Sequence, residues 1–175
     1  MENDIFILSE DGKELLGFKY LSSPFIKLPD GITSIGLEAF KGCDFIQSVV
    51  IPNSVNCIGH LAFENCTLLK DIDIPDSITE IKDQAFLGCS TLKNVEIPSN
   101  VYEIGNNCFE NCVSLKGLHF RITEPDNINL YIQSFDEFNE NLYHNCILFV
   151  PPGARWAYKH RTILRKFENI EIENS

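Results

Sequence analysis

The sequence holds a single Trp, a single Met and only 14 Lys and Arg against 25 Asp and Glu. The resulting formal net charge of −11 makes an average surface patch repel phosphate, so nucleic acid is not expected as a partner. Anionic membranes are disfavoured on the same ground. No apolar run approaches the ~18 residues that a bilayer-spanning helix needs. The N-terminus, MENDIFILSEDGKELLG, lacks a basic start, a long apolar core and a small-residue cleavage site. Cytoplasmic placement is therefore expected as the sequence stands, with the cell surface or secretion as the alternative if an export signal has been removed. The cysteines number seven, an odd count that leaves at least one without an intramolecular partner. Cys57-x-x-His60 and Cys108-x-x-x-Cys112 come nearest to metal motifs, but neither supplies four ligands at zinc spacing. No nucleophile signature joins any Cys to His60, His119, His144 or His160. The chain is expected to be non-catalytic, with no metal and no cofactor.

What is present is a repeat. Hydrophobic residues make up 44% and charged residues 22% of 175, as suits one packed domain spanning 1–175. Self-similarity at a fixed period is clear at 23 residues, in LPDGITSIGLEAFKGCDFIQSVV (28–50), IPNSVNCIGHLAFENCTLLKDID (51–73), IPDSITEIKDQAFLGCSTLKNVE (74–96) and IPSNVYEIGNNCFENCVSLKGLH (97–119). Pro recurs at 29, 52, 75 and 98, Phe at 40, 63, 86 and 109, and Cys at 43, 66, 89 and 112. Aliphatic columns run through Ile32, Val55, Ile78 and Val101, and through Ile35, Ile58, Ile81 and Ile104. The end of each unit, as in Leu69-x-x-Ile72-x-Ile74-Pro75, alternates apolar and polar residues. That pattern reads as a short strand with one buried face, closed by Pro. Ala-Phe-x-x-Cys reads as a helical or 3₁₀ turn on the opposite side. No unit could bury its apolar residues alone, whereas stacked units can. The expected fold is a solenoid with short parallel strands on one face and helical turns opposite.

The ends depart from the period. Residues 1–27 read as an N-terminal cap, with a β-hairpin in 5–19 turning at Asp11-Gly12. Residues 120–152 read as an irregular fifth unit in which Phe135 and Phe138 continue the core and 147–152 form a strand. Residues 153–175 read as a C-terminal cap. It comprises a helix over 153–167, broken after His160, that sets Trp156 and Phe167 against a last strand in 168–173.

The repeat resembles the BspA-type class of leucine-rich repeats. The residues that carry the likeness are Ile51, Pro52, Val55, Ile58, Gly59, Ala62, Phe63, Cys66, Leu69 and Ile72, with Lys82, Cys108 and Ile46 as departures from Gly, Ala and Leu. The two ends also look like the caps of bacterial members. The resemblance implies a right-handed leucine-rich-repeat solenoid that binds proteins, often as a surface adhesin or interaction module, and it implies no catalytic motif.

Between the buried strand positions, exposed side chains are expected at Ser48 and Val50, Asp71 and Asp73, Asn94 and Glu96, and Gly117 and His119. Lys70, Lys93 and Lys116 form a column beside them. Stacking Asp71, Asp73 and Glu96 on neighbouring rungs costs about 1 kcal/mol even at the dielectric of water. The strip reads either as a face prepared for a basic partner or as a solvated sheet face neutralised by the Lys column. The residues expected to contact a partner are thus Lys70, Asp71, Asp73, Lys93, Asn94, Glu96, Lys116 and His119. The leading expectation is a protein-interaction module whose partner is another protein. A cytoplasmic, toxin-neutralising immunity-type inhibitor is a second reading, and a Cys-dependent enzyme or metal protein a third. Arg155, Lys159, Arg161, Arg165 and Lys166 gather near the C-terminus and suggest weak self-association with the acidic face of another copy.

Overall fold

A computed structural model describes residues 5–20, 23–130, 140–161 and 164–173. Phe135 and Phe138, assigned above to a fifth unit, lie outside the described residues. The elements are β1 (Phe6–Leu8), β2 (Glu14–Phe18), β3 (Phe25–Lys27), β4 (Ser34–Ile35), β5 (Ser48–Val50), β6 (Cys57–Ile58), β7 (Asp71–Asp73), β8 (Glu80–Ile81), β9 (Asn94–Ile97), β10 (Glu103–Ile104), β11 (Gly117–Phe120), β12 (Asn129–Leu130), α1 (Glu140–Asn145), β13 (Ile147–Val150), α2 (Arg155–His160) and β14 (Asn169–Ile172).

Each repeat contributes two strands rather than one, which corrects the single strand face expected from the pattern. The alternating segment supplies β5, β7, β9 and β11, which stand in a wall with β3 on one side and β13 and β14 on the other. The Ile-Gly segment supplies two-residue strands, and these form a second parallel ladder in the order β2-β4-β6-β8-β10-β12. The antiparallel hairpin partner β1 sits at its edge. The second ladder is hard to see in sequence because only one residue of each strand, Ile35, Ile58, Ile81 or Ile104, points into the core. Period-2 alternation cannot show in two residues.

The Ala-Phe-x-x-Cys segments are not helical or 3₁₀, a second correction. Alternate amides close four-residue turns, as in Ala62 N to Gly59 O, Glu64 N to Leu61 O and Cys66 N to Phe63 O. The amides between them reach the next rung instead, with Leu61 N bonding Asp83 O, Phe63 N bonding Ala85 O and Asn65 N bonding Leu87 O. Positive φ at Leu61 (58°) and Asn65 (58°) breaks the helical progression. It aims every second N–H along the stack, so the segment is bonded between rungs as a sheet is. The same left-handed positions recur at Glu38, Gln84 and Asn107, and at Gly42, Gly88 and Asn111.

The core between the two ladders is built from the repeated columns. Phe40, Phe63, Phe86 and Phe109 are fully buried. Their rings stack nearly parallel, with centroids 5.1, 5.4 and 5.5 Å apart. Phe18 of the hairpin extends the stack below Phe40 at 5.6 Å. Each buried Phe contributes roughly 1.5–3 kcal/mol from burial, and stacked pairs at these separations add to that. Beside the rings, the thiols of Cys66, Cys89 and Cys112 donate to the carbonyls of Phe40, Phe63 and Phe86 one rung below, each at 3.1 Å. The Cys column thus satisfies carbonyls that point into the core. All seven cysteines are unpaired thiols.

The C-terminal segment contains two short pieces, α2 and a 3₁₀ turn at Leu164–Lys166. Phe167 is buried, but Trp156 is 71% exposed and the inward residue of α2 is Tyr158. That corrects the expected role of Trp156. The reason is polar: the Tyr158 hydroxyl donates to the Ile122 carbonyl at 2.7 Å, and its ring meets Phe120 edge-on at 5.8 Å. Tyr158→Phe is expected to cost about 1–3 kcal/mol, because it leaves a buried carbonyl without its donor. Urea unfolding measures this, and an unchanged midpoint would remove the bond from the account.

Both ends of the strand wall are blunted. At β3 the Ser23 hydroxyl accepts from Phe25 N (3.1 Å) and donates to Phe25 O (2.9 Å). At β14 the Arg155 Nε donates to Ile170 O at 3.1 Å. Such contacts occupy the backbone groups that would otherwise recruit another strand.

Candidate partner-binding face

The strand wall presents three columns outward. Lys70, Lys93 and Lys116 are exposed on one flank, and Lys70 Nζ reaches Gln47 Oε1 of the rung below at 3.0 Å. Asp71 and Asn94 form the next column, and Asp73 and Glu96 the one beyond, all four exposed. β7 and β9 do not pair in register, and the wall divides there into a three-stranded and a four-stranded part. Across this seam Lys93 N reaches Lys70 O only at 3.5 Å, whereas Lys116 N reaches Lys93 O at 2.7 Å on the next rung. The seam coincides with the stacked acids, and like charges on neighbouring strands oppose close pairing.

The upper end of the strip is already occupied from within. His119 Nδ1 lies 2.9 Å from Glu173 Oε1, and the His119 ring stacks on Phe149 with centroids 4.3 Å apart. Gly117 is buried between neighbours rather than offering surface. A Cβ there would lie 2.7 Å from Asn94 Oδ1 and 2.9 Å from His119 Nε2. Glu96 pairs with Arg121 Nε at 2.5 Å. Of the residues expected to contact a partner, Lys70, Asp71, Asp73, Lys93, Asn94, Glu96 and Lys116 share one open face, while His119 is half-buried in an internal contact.

A groove not foreseen from the sequence runs along the Pro edge of the wall. It encloses about 720 Å³ and is lined by Asp30, Asp73, Asp76, Glu96 and Arg121 around Val50 and Pro52. Its sequence signal is the column immediately after each Pro, Asp30, Asn53 and Asp76. Arg121 has no such signal, because it follows the last regular repeat.

On the second ladder, Lys82 fills the position that is Gly in the other repeats. Its Nζ lies 2.7 Å from Glu80 and 3.0 Å from Glu103, which are register partners on adjacent strands. Tyr102 also donates to Glu80. Hydrogen bonding to Lys82 and Tyr102 holds the Glu80 carboxyl below its ordinary pKa of 4.5. Hydrogen bonding to Glu80 raises the Lys82 ammonium above its ordinary 10.5. The lowered carboxylate contributes stability above its ordinary value, and that stability is lost as pH falls through its folded value. The raised ammonium contributes below its ordinary value and is lost at high pH. Lys82→Met is therefore expected to cost about 1 kcal/mol at neutral pH. The difference from wild type should shrink as pH falls below about 4. Thermal unfolding of both proteins across pH tests this, and a pH-independent difference would rule out the ionic origin.

The more deeply buried cysteines offer no activated nucleophile, whereas the hydrogen bond with Cys66 holds the Cys43 thiol below its ordinary value. Burial pushes the thiols of Cys89 and Cys108 well up, and those of Cys112 and Cys146 up to about 12. The reactive thiolate is disfavoured at these sites. Cys57 is half-buried and is also raised by burial, while His60 turns to Asp83 at 3.7 Å. Among the described residues, no group of three or more His, Cys, Asp or Glu is placed to hold a metal. Among them, too, no helix is long and apolar enough to cross a membrane.

Comparison with known proteins gives a consistent result. A leucine-rich repeat protein of Bacteroides capillosus is 29% identical, covers 66% of this chain and 92% of its own, and superposes with a TM-score of 0.57. The Treponema pallidum leucine-rich repeat protein shares the fold over 99% of this chain and 82% of its own, at 23% identity and a TM-score of 0.71. A leucine-rich cell surface protein of Faecalibacterium prausnitzii is 26% identical over 75% of this chain and 44% of its own, with a TM-score of 0.52. No curated relative matches the sequence. The family profile described as the BspA type leucine rich repeat region matches residues 17–148 in six copies. With its repeated columns, paired parallel ladders and six matched copies, the chain belongs to the BspA-type leucine-rich-repeat family.

Proposed function

We propose that the chain is a non-catalytic interaction module that binds another protein on the open strand face, through Lys70, Asp71, Asp73, Lys93, Asn94, Glu96 and Lys116. The observation that carries this reading is the charge layout of the face. A Lys column stands beside an acidic column on a rigid support, and among the described residues neither Asp71 nor Asp73 has an ion-pair partner. A partner that sets basic groups against Asp73 and Glu96, and acidic groups against the Lys column, meets complementary potential across the strip. His119 acts from behind, by holding Glu173 and with it the end of β14.

The test is capture of a specific partner by wild type and by Asp71→Lys/Asp73→Lys/Glu96→Lys at equal concentration. Equal retention by both proteins would rule out the acidic strip. The Faecalibacterium relative is described as a cell surface protein, which favours the cell-surface alternative. Burial of Cys66, Cys89, Cys108, Cys112 and Cys146 also suits an oxidising setting, since buried thiols are inert. Surface labelling of intact cells, with a cytoplasmic protein as control, checks this placement.

A further inference from the structure

We infer that the Pro-edge groove receives helix α2 of a second copy of this chain, forming a closed two-fold dimer. The two surfaces differ in sign and match in character. The groove carries Asp30, Asp73 and Asp76 on its rim around exposed Val50 and half-buried Pro52. Helix α2 carries Trp156, which has the highest exposure of the large hydrophobic residues among those described, 71%, and stacks on His160 at 4.1 Å. Arg155 and Lys159, four residues apart, form a cationic ridge beside Trp156 and His160. An exposed Trp flanked by cations is the usual make-up of an interface anchor. Its natural seat is a concavity with an apolar floor and an acidic rim.

The placement of the two surfaces selects the symmetry. Helix α2 follows Pro151, which closes β13 as Pro52 closes β5. It packs on the 3₁₀ turn Pro125–Asn127 and reaches Ile122, immediately after the groove residue Arg121. Helix and groove therefore lie on one edge of the wall, with the helix several rungs, on the order of 14–19 Å, farther along the stack. A two-fold axis across that edge, midway between them, lays each helix in the other copy's groove. One operation satisfies both contacts and closes the assembly. Pairing through the open edges of the wall, another route to self-association, is blunted at its two ends by Ser23 and Arg155. Because Asp73 and Glu96 belong to both the groove and the partner strip, dimer and partner complex are mutually exclusive.

The sole Trp of the chain reports directly on the contact. Sedimentation equilibrium over a wide concentration range at low salt should show a monomer–dimer equilibrium. Trp emission should shift to the blue as dimer accumulates, and high salt should weaken the association. Asp30→Lys/Asp76→Lys, whose sites lie outside the partner strip, should weaken the dimer at least tenfold and leave capture of the partner undiminished, or strengthened at concentrations where wild type dimerises. Lys159→Glu and Trp156→Ala should each weaken it too, both at exposed positions where the fold is not at risk. Mixing Asp30→Lys/Asp76→Lys with Lys159→Glu should restore a heterodimer, since the reversed groove then faces the carboxylate introduced at position 159 in place of an ammonium and the acidic groove faces the unaltered basic helix. A monomer at every concentration, or a dimer indifferent to these changes and with unshifted Trp emission, would overturn the assignment.

Discussion

Phe63→Ala is expected to lower stability by about 3–5 kcal/mol, the usual cost of truncating a fully buried Phe. Phe63 is completely buried, with a parallel ring on either side at 5.1 and 5.4 Å. Its backbone bonds Ala85 above through N–H and accepts the Cys89 thiol through C=O. Those backbone groups hold the rungs apart, so the space left by the ring cannot close fully, and residual cavity is what raises the cost of such substitutions. Domains of this kind have total stabilities of roughly 5–15 kcal/mol, so one ring is a large share. A stack in which each rung touches only its neighbours also loses cooperativity when a middle rung fails. The urea transition should therefore broaden as well as move. Phe25→Ala is the control: Phe25 is 68% exposed, and its loss should stay within about 0.5 kcal/mol. If the two variants unfold together, the Phe column is not the main support of the fold.

The triple reversal Asp71→Lys/Asp73→Lys/Glu96→Lys is expected to weaken partner binding by about 100-fold or more. Juxtaposed like charges cost several kcal/mol across an interface, and each 1.4 kcal/mol is about a factor of ten in affinity. All three side chains are exposed, so the folded state should survive. The Glu96 reversal also releases Arg121, which adds positive charge to the groove and compounds the effect. The loss should be steepest at low salt, because exposed charges are screened at higher ionic strength. Titration calorimetry or surface binding at two salt concentrations, with circular dichroism to confirm folding, measures it. His119→Ala should behave differently, loosening β14 and lowering stability, because its ring is committed to Glu173 and Phe149.

Some of this arrangement could be read from the chain and some could not, and particular residues show where the line falls. The Phe, Cys and aliphatic columns were legible because each contact recurs at a separation of 23 residues, so one physical requirement is written four times. The strand segment was legible because it alternates over enough residues to show a period. The second ladder was not, since its strands have only two residues. The Ala-Phe-x-x-Cys turn was misread as helical because residues as ordinary as Leu61 and Gln84 take positive φ there, and composition did not signal it. Lys82 stood out as a departure from Gly, but its partners Glu80 and Glu103 became its reason only once their strands were in register.

The sequence by itself determined the stacked core, the strand that closes at each Pro and the alternating charges on the outer face. The reason is that neighbouring rungs impose the same burial on every copy. The tertiary structure alone decided which of those exposed residues remain available. Glu173 reaches back across 54 positions to His119, Arg121 turns onto Glu96, and Tyr158 rather than Trp156 faces inward to Ile122. These contacts are made by segments outside the regular period, where no repeated column fixes a neighbour, so they follow from the path of the folded chain.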